Sequence, residues 1–131
     1  MTEIAKLGWV IVYVPDVEAA LAFYEQSFGL TRKMLAPDAS FGELDSGEST
    51  LAFATYELGE SNFEGGFERP GERPANVELA LVFDDPEAAF ARAVENGATP
   101  LAEPKRKPWG QVVSYVRDPF GTLLEVCSPT D

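Results

Sequence analysis

Two glutamates stand alone among aliphatic residues: Glu78 between Val77 and Leu79, and Glu125 between Leu124 and Val126. A carboxylate in the middle of an apolar strand costs free energy unless it meets water, a partner or a ligand. Two carboxylates set close together cannot both ionise freely, and the one whose pKa rises becomes a candidate acid or base. Set around a cation, the same pair makes charge-assisted hydrogen bonds. Trp9, Tyr13, Tyr56, Trp109 and Tyr115 could add stacking and cation–π surface, worth roughly 0.5–2 kcal/mol each. For Trp109, beside Gly110, plain packing is an equally open reading. The chain contains no histidine, which excludes the two-His-one-carboxylate iron centre and the two- and three-His catalytic zinc sets. Cys127, the one cysteine, has no histidine partner and no basic neighbour in sequence to lower its thiol pKa, and reads as a small inert hydrophobe.

These residues are carried by a unit written twice. At an offset of 69, Trp9 falls on Glu78, Val14 on Phe83 and Asp16 on Asp85, and the matches Glu18 to Glu87, Ala19 to Ala88, Ala20 to Ala89 and Ala22 to Ala91 follow without a gap. In each copy an apolar strand runs into an Asp able to cap a helix of Glu and Ala. Each helix ends near a glycine, Gly29 or Gly97, as a left-handed C-cap requires. Strand-like segments follow at about Thr31–Leu35, Ser40–Leu44 and Thr50–Tyr56, and again at about Thr99–Leu101, Gln111–Val116 and Thr122–Val126, with DPFG turning between the last two. The unit is βαβββ, in an α+β chain of one domain over 1–131: module one at about 4–57, a linker at 58–74, and module two at about 75–128. The linker is rich in Gly, Glu and Pro; its Phe63 and Phe67 either cover a pocket or lie in a solvated loop.

Alternation divides each strand into two faces. Val10, Val12 and Val14, with Leu51 and Phe53, suit packing against the first helix, as do Val77, Leu79, Leu81 and Phe83, with Leu124 and Val126, against the second. The opposite faces are mixed: Trp9, Ile11 and Tyr13; Thr50, Ala52, Ala54 and Tyr56; Glu78, Ala80 and Val82; Leu123, Glu125 and Cys127. Small residues beside aromatics and isolated acids suit a pocket lining, or a sheet face turned to water.

Twenty-two acids against ten bases leave a net charge of −12. Such a field repels nucleic-acid backbones and anionic membranes, so neither is an expected partner. It serves solubility, or attracts a cationic ligand where carboxylates line a pocket. The short basic run Lys105, Arg106 and Lys107 reads as a solvated loop. No apolar run approaches the ~18 residues of a membrane span. MTEIAKLG lacks the pattern of a secretory leader, and a single cysteine fits a reducing cytoplasm.

Paired βαβββ modules, with PDVEAALAFYEQSFGL after the first strand and PWGQVVSYVRDPFGTLLEV at the end, resemble the vicinal oxygen chelate superfamily of glyoxalase I, extradiol dioxygenases, fosfomycin-resistance enzymes and bleomycin-resistance binding proteins. The resemblance runs from about Ile4 to Ser128. It implies modules that curl into cupped mixed sheets around a cleft, and a homodimer. Metal-dependent members place ligands at the start of each first strand and within each last strand; the matching positions here are Trp9, Ala52, Glu78 and Glu125. Only the glutamates can bind a metal. The resemblance is therefore to the metal-free bleomycin-resistance type, with no cofactor. It implies sequestration of a small aromatic or cationic molecule by Trp9, Tyr13, Ala52, Tyr56, Glu78, Trp109, Tyr115 and Glu125. Two alternatives stand beside it. One is a glyoxalase-like lyase in which Glu78 and Glu125 act as acid and base or hold a weakly bound Mg²⁺, Mn²⁺, Ni²⁺ or Zn²⁺; the other is a non-catalytic interaction module.

Overall fold

A computed structural model describes residues 2–130. Its elements are β1 (Trp9–Val14), α1 (Val17–Phe28), β2 (Thr31–Leu35), β3 (Phe41–Asp45), β4 (Thr50–Thr55), α2 (Tyr56–Glu60), β5 (Glu78–Val82), α3 (Pro86–Glu95), β6 (Thr99–Arg106), β7 (Val112–Arg117) and β8 (Leu123–Cys127). The α+β class and the repeated βαβββ order match the expectation. Tertiary contacts divide the chain into two units. One holds Gly29–Phe67 with the chain up to Glu25, and the other holds Gln26–Phe28 with the chain from Glu68 onward.

Both helices start and stop where the sequence places the signals. The Asp16 carboxylate accepts the Ala19 amide at 3.0 Å, and Asp85 accepts that of Ala88 at 3.2 Å. Each satisfies a donor that the first helical turn leaves orphaned. Gly29 closes α1 at φ 71°, returning its N–H to the Glu25 carbonyl. α3 ends on Asn96, with Gly97 at φ 109° just beyond it.

In the first unit the sheet order is β1-β4-β3-β2, with β1 parallel to β4 and the other pairs antiparallel. α1 covers the valine side: Val14, Val17, Leu21, Tyr24, Leu44 and Phe53 are buried, and the Tyr24 and Phe53 rings lie 5.0 Å apart. The second unit repeats the order as β5-β8-β7-β6. There α3 packs on β6, β7 and β8, burying Ala89, Phe90 and Ala93 together with Val116, Leu124 and Val126.

Three expectations need correction. The fourth strand stops at Thr55, whose hydroxyl accepts the Leu58 amide at 3.1 Å and starts α2; Tyr56 is therefore the first residue of a helix, not the last of a strand. β6 continues through Arg106, because irregular pairing with β7 lets its Pro-containing sequence stay in the ladder. Lys105 and Arg106 consequently belong to a strand rather than a loop. The segment 58–74 is also tied down in places. The Arg117 guanidinium donates to the carbonyls of Gly121 (3.1 Å), Glu72 (2.8 Å) and Gly71 (2.6 Å), and Pro70 sits against Gly121. DPFG itself is a turn held by Asp118, which accepts the Phe120 and Thr122 amides at 2.9 Å each.

The approach of α1 to its sheet depends on Gly42. A Cβ there would lie 2.8 Å from Leu21 Cδ1 and 3.1 Å from Val17 Cγ1, both on buried side chains. Gly42→Ala is expected to destabilise the protein by about 1–3 kcal/mol, read as a lower urea midpoint at an unchanged slope.

Candidate functional site

With one sheet face of each unit taken by its helix, alternation sends the chemistry-bearing residues to the other. In the second unit Ala80 and Tyr115 both pair with Glu125, from β5 and β7. Glu78 lies two residues before Ala80 and so shares this face. The two glutamates and Tyr115 meet. The Tyr115 hydroxyl donates to Glu125 Oε1 at 3.1 Å, and Glu78 hydrogen-bonds Glu125 carboxyl to carboxyl, which raises the Glu78 pKa, with partial burial and the Glu125 charge adding to the effect. A hydrogen bond between two carboxyls needs a proton, and the pairing favours the protonated form of Glu78.

The neighbouring acids stay protonated. Burial first, then the hydrogen bond to Glu125, pushes the Tyr115 phenol up to about 12. Burial, then Glu125 again, pushes the Cys127 thiol up to about 11. Glu125 thus accepts from Tyr115, while the Cys127 thiol donates to the Leu81 carbonyl at 3.6 Å and is a poor nucleophile at neutral pH, as its sequence context suggests. Gln111 extends the polar group: it adjoins Cys127, donates to the Ser128 carbonyl at 2.9 Å, and accepts the Trp109 indole N–H at 2.8 Å. Trp109 is 61% exposed in the turn closed by Gly110 N–H to Lys107 O, outside the strands that carry the glutamates.

The first unit holds the counterpart. Trp9 lies two residues before Ile11, and Ile11 and Glu43 both pair with Ala52. Trp9, Ala52 and Glu43 therefore occupy the positions of Glu78, Glu125 and Tyr115. The indole N–H of Trp9 donates to Glu43 Oε2 at 2.8 Å, reaching from β1 across β4 to β3. Ala52 has no exposed surface, while Trp9 is 57% exposed. Further along the same face, the Tyr13 ring stacks on Phe67 at 4.5 Å and 15°, and Tyr56 lies 6.4 Å from Phe67 at a tilt. Glu43, Gln111 and Phe67 are the participants that face-sorting of the end strands did not single out. The available signal for Glu43 was parity, since it alternates with Gly42 and Leu44, which belong to the buried face.

A metal does not fit these residues. Of the four positions that hold ligands in metal-dependent relatives, Trp9 offers an N–H donor already engaged and Ala52 offers no ligand atom, which leaves only the carboxyls of Glu78 and Glu125. Among the described residues no group of three His, Cys, Asp or Glu side chains is placed to hold a metal ion. An open groove of about 660 Å³ between α3 and β6, floored by Phe90, Val94 and Pro100, shares no lining residue with this face.

The duplicated βαβββ fold with these two faces is that of the vicinal oxygen chelate proteins. Residues 6–126 match the Glyoxalase/Bleomycin resistance protein/Dioxygenase superfamily, and the chain belongs to it. It is similar to the CFP32 proteins of Mycobacterium bovis and Mycobacterium tuberculosis, whose name classes them provisionally as glyoxylases, with 26% identity over 130 residues. That match covers 98% of this chain but 46% of the relatives, so the chain spans about half their length. Among solved structures it resembles a glyoxalase-related enzyme from Fulvimarina pelagi, at a TM-score of 0.80 and 22% identity over 96% of this chain and 89% of that one. It also resembles a glyoxalase/bleomycin resistance protein/dioxygenase family enzyme from Burkholderia phytofirmans, at 0.78 and 26% over 95% and 98%. No helix among the described residues is long and apolar enough to cross a membrane.

The raised Glu78 pKa has a measurable consequence for stability. A pKa raised by folding means that the folded protein binds the proton more tightly than the unfolded chain. The Glu78 contribution is therefore fully present in acid and is lost as pH rises through its folded pKa. Glu78→Gln, which keeps a donor toward Glu125 at every pH, is expected to gain melting temperature over the wild type as pH rises through the Glu78 pKa and to lose that gain in acid. Thermal unfolding across pH reads this directly.

Proposed function

We propose that the protein binds a small cationic, ring-bearing molecule without a metal. The observation that carries this is the Glu78–Glu125 pair, two carboxyls on one sheet face whose mutual hydrogen bond raises the Glu78 pKa. Neither is ion-paired among the described residues, whereas Arg32 pairs with Glu18 and Glu25. An ammonium or amidinium group would supply positive charge to both carboxylates through charge-assisted hydrogen bonds. On the second sheet the Tyr115 ring adjoins the pair through its hydrogen bond to Glu125, and the first sheet, taken by itself, presents ring faces beside a carboxylate in Trp9 with Glu43 and, further along, in Tyr13. The net charge of −12 concentrates cations around the chain.

A second reading rests on the same pair of acids. An acid and a base placed side by side can move a proton on a bound carbonyl compound, as a glyoxalase-like lyase requires. Turnover of the methylglyoxal–glutathione adduct that disappears in Glu125→Gln would select this reading over simple binding.

The binding reading is tested with proflavine, a planar cation, by isothermal titration calorimetry. Because the cation favours ionised Glu78, binding is expected to release a proton, so the observed heat changes with the buffer's ionisation enthalpy. Affinity falls as pH falls through the raised Glu78 pKa. Replacing Glu78 and Glu125 together by Gln should weaken binding roughly 10- to 100-fold, the worth of a hydrogen bond to a charged group. Affinity indifferent to pH and to both substitutions would defeat the proposal.

A further inference from the structure

From the first unit we infer that Phe67 is a built-in occupant of the Tyr13 ring face, and that it sets which ligands the protein accepts: those with a flat aromatic ring able to take its place. The inference rests on the binding reading above. Three observations carry it. First, Phe67 and Tyr13 stack nearly parallel, with centroids 4.5 Å apart and planes 15° apart, which is the geometry a planar ligand would adopt on the same ring. Tyr13 follows Trp9 and Ile11 on the mixed face of β1, so the covered ring belongs to the row that a stacking ligand would use.

Second, Tyr13 is held as a fixed platform while Phe67 is not. The backbone of Gly59 packs so closely on Tyr13 that a Cβ there would fall 2.4 Å from Cε1 and 2.6 Å from Cδ1. Phe67, by contrast, is half-buried within a stretch whose residues 61–65 and 68–70 are exposed. A segment with so little buried apolar contact lies at the low-stability end of local opening.

Third, the chain that delivers Phe67 carries the means to swing. Gly65 and Gly66 precede it at φ 95° and 63°, conformations that glycine alone enters freely, and nothing crowds Gly65. Beyond Phe67 the hydrogen bonds from Arg117 hold the carbonyls of Gly71 and Glu72, and before it Thr55 caps α2. These contacts bound the segment that carries Phe67. A ligand that binds only when Phe67 is off Tyr13 has its apparent affinity reduced by the open fraction. A ring that stacks recovers what Phe67 gave up; a non-aromatic cation does not.

Proflavine titration of the wild type, Phe67→Ala and Phe67→Leu provides the test, with amide hydrogen exchange over residues 61–69 followed in parallel. Both variants should bind proflavine about 2- to 12-fold more tightly, the factor by which losing one aromatic pair raises the open population. Proflavine bound to the wild type should speed exchange over 61–69, because the ring it replaces is released. Tetramethylammonium, which has no ring, should produce no such change. Variants that bind proflavine equally or less tightly, or exchange that slows on binding, would show that Phe67 is part of the ligand's wall, overturning this inference and leaving the binding reading intact. Failure of proflavine to bind any of the three proteins would remove the binding reading, and this inference with it.

Discussion

Each sheet has two faces, and the helix of the module takes one of them. That constraint governs everything else in this chain. In the first unit Val14, Leu44 and Phe53 are buried with Val17, Leu21 and Tyr24 of α1, and in the second Val116, Leu124 and Val126 are buried with Ala89 and Ala93 of α3. Burial of apolar area at about 25 cal/mol per Å² makes these faces the source of stability. A one-residue slip would send every such side chain to the wrong side. Residues two apart on the remaining face are thus held in register by that packing. Ala52, Ala54 and Cys127 there are themselves buried, and it is at the exposed positions of the leading strands, Trp9, Ile11, Glu78 and Val82, that chemistry can change at small cost to the fold.

The two modules have used that freedom in opposite ways. In the first, the leading strand offers an aromatic donor, Trp9, and the third strand an acid, Glu43, with Ala52 buried between their strands. In the second, the acids are on the leading and last strands and the aromatic donor, Tyr115, is on the third. A neutral donor meeting a single carboxylate is a settled pair. Two carboxylates meeting one donor are not, and their proximity raises the Glu78 pKa. The same sheet geometry therefore produces a hydrogen-bonded aromatic in one copy and a titratable acid pair in the other.

Much of this was legible in the sequence because it is local or periodic. Asp16 and Asp85 announce their helices, the offset of 69 announces the repeat, and alternation around Val10 and Leu124 separates core from open face. Glu78 and Glu125 are conspicuous for breaking that alternation with charge. What escaped notice depends on contacts distant in the chain. Trp9 and Glu43 are 34 residues apart and meet only because β4 enters the sheet between their strands. Tyr56 looks like a strand residue until Thr55 is seen to cap α2. β6 contains prolines at 100 and 104 and persists through Arg106 only by the irregular register it adopts against β7. No one-dimensional pattern marks Phe67 as the partner of Tyr13.

Membership of the superfamily therefore says less about chemistry here than the fold's clarity suggests. Function resides in sites carried by folds, and in this chain the paired acids lie on the sheet face that the helix leaves free. Trp9 cannot simply be read as a lost ligand. Its indole N–H is committed to Glu43, so restoring a metal-binding side chain at position 9 would leave the Glu43 carboxylate without its donor, and position 52 would still present a buried methyl group. Recovering a metal centre would require coordinated change on three strands. The present arrangement instead hangs together as it stands: hydrogen-bonded aromatics, two acids in mutual contact, and a ring held under Phe67.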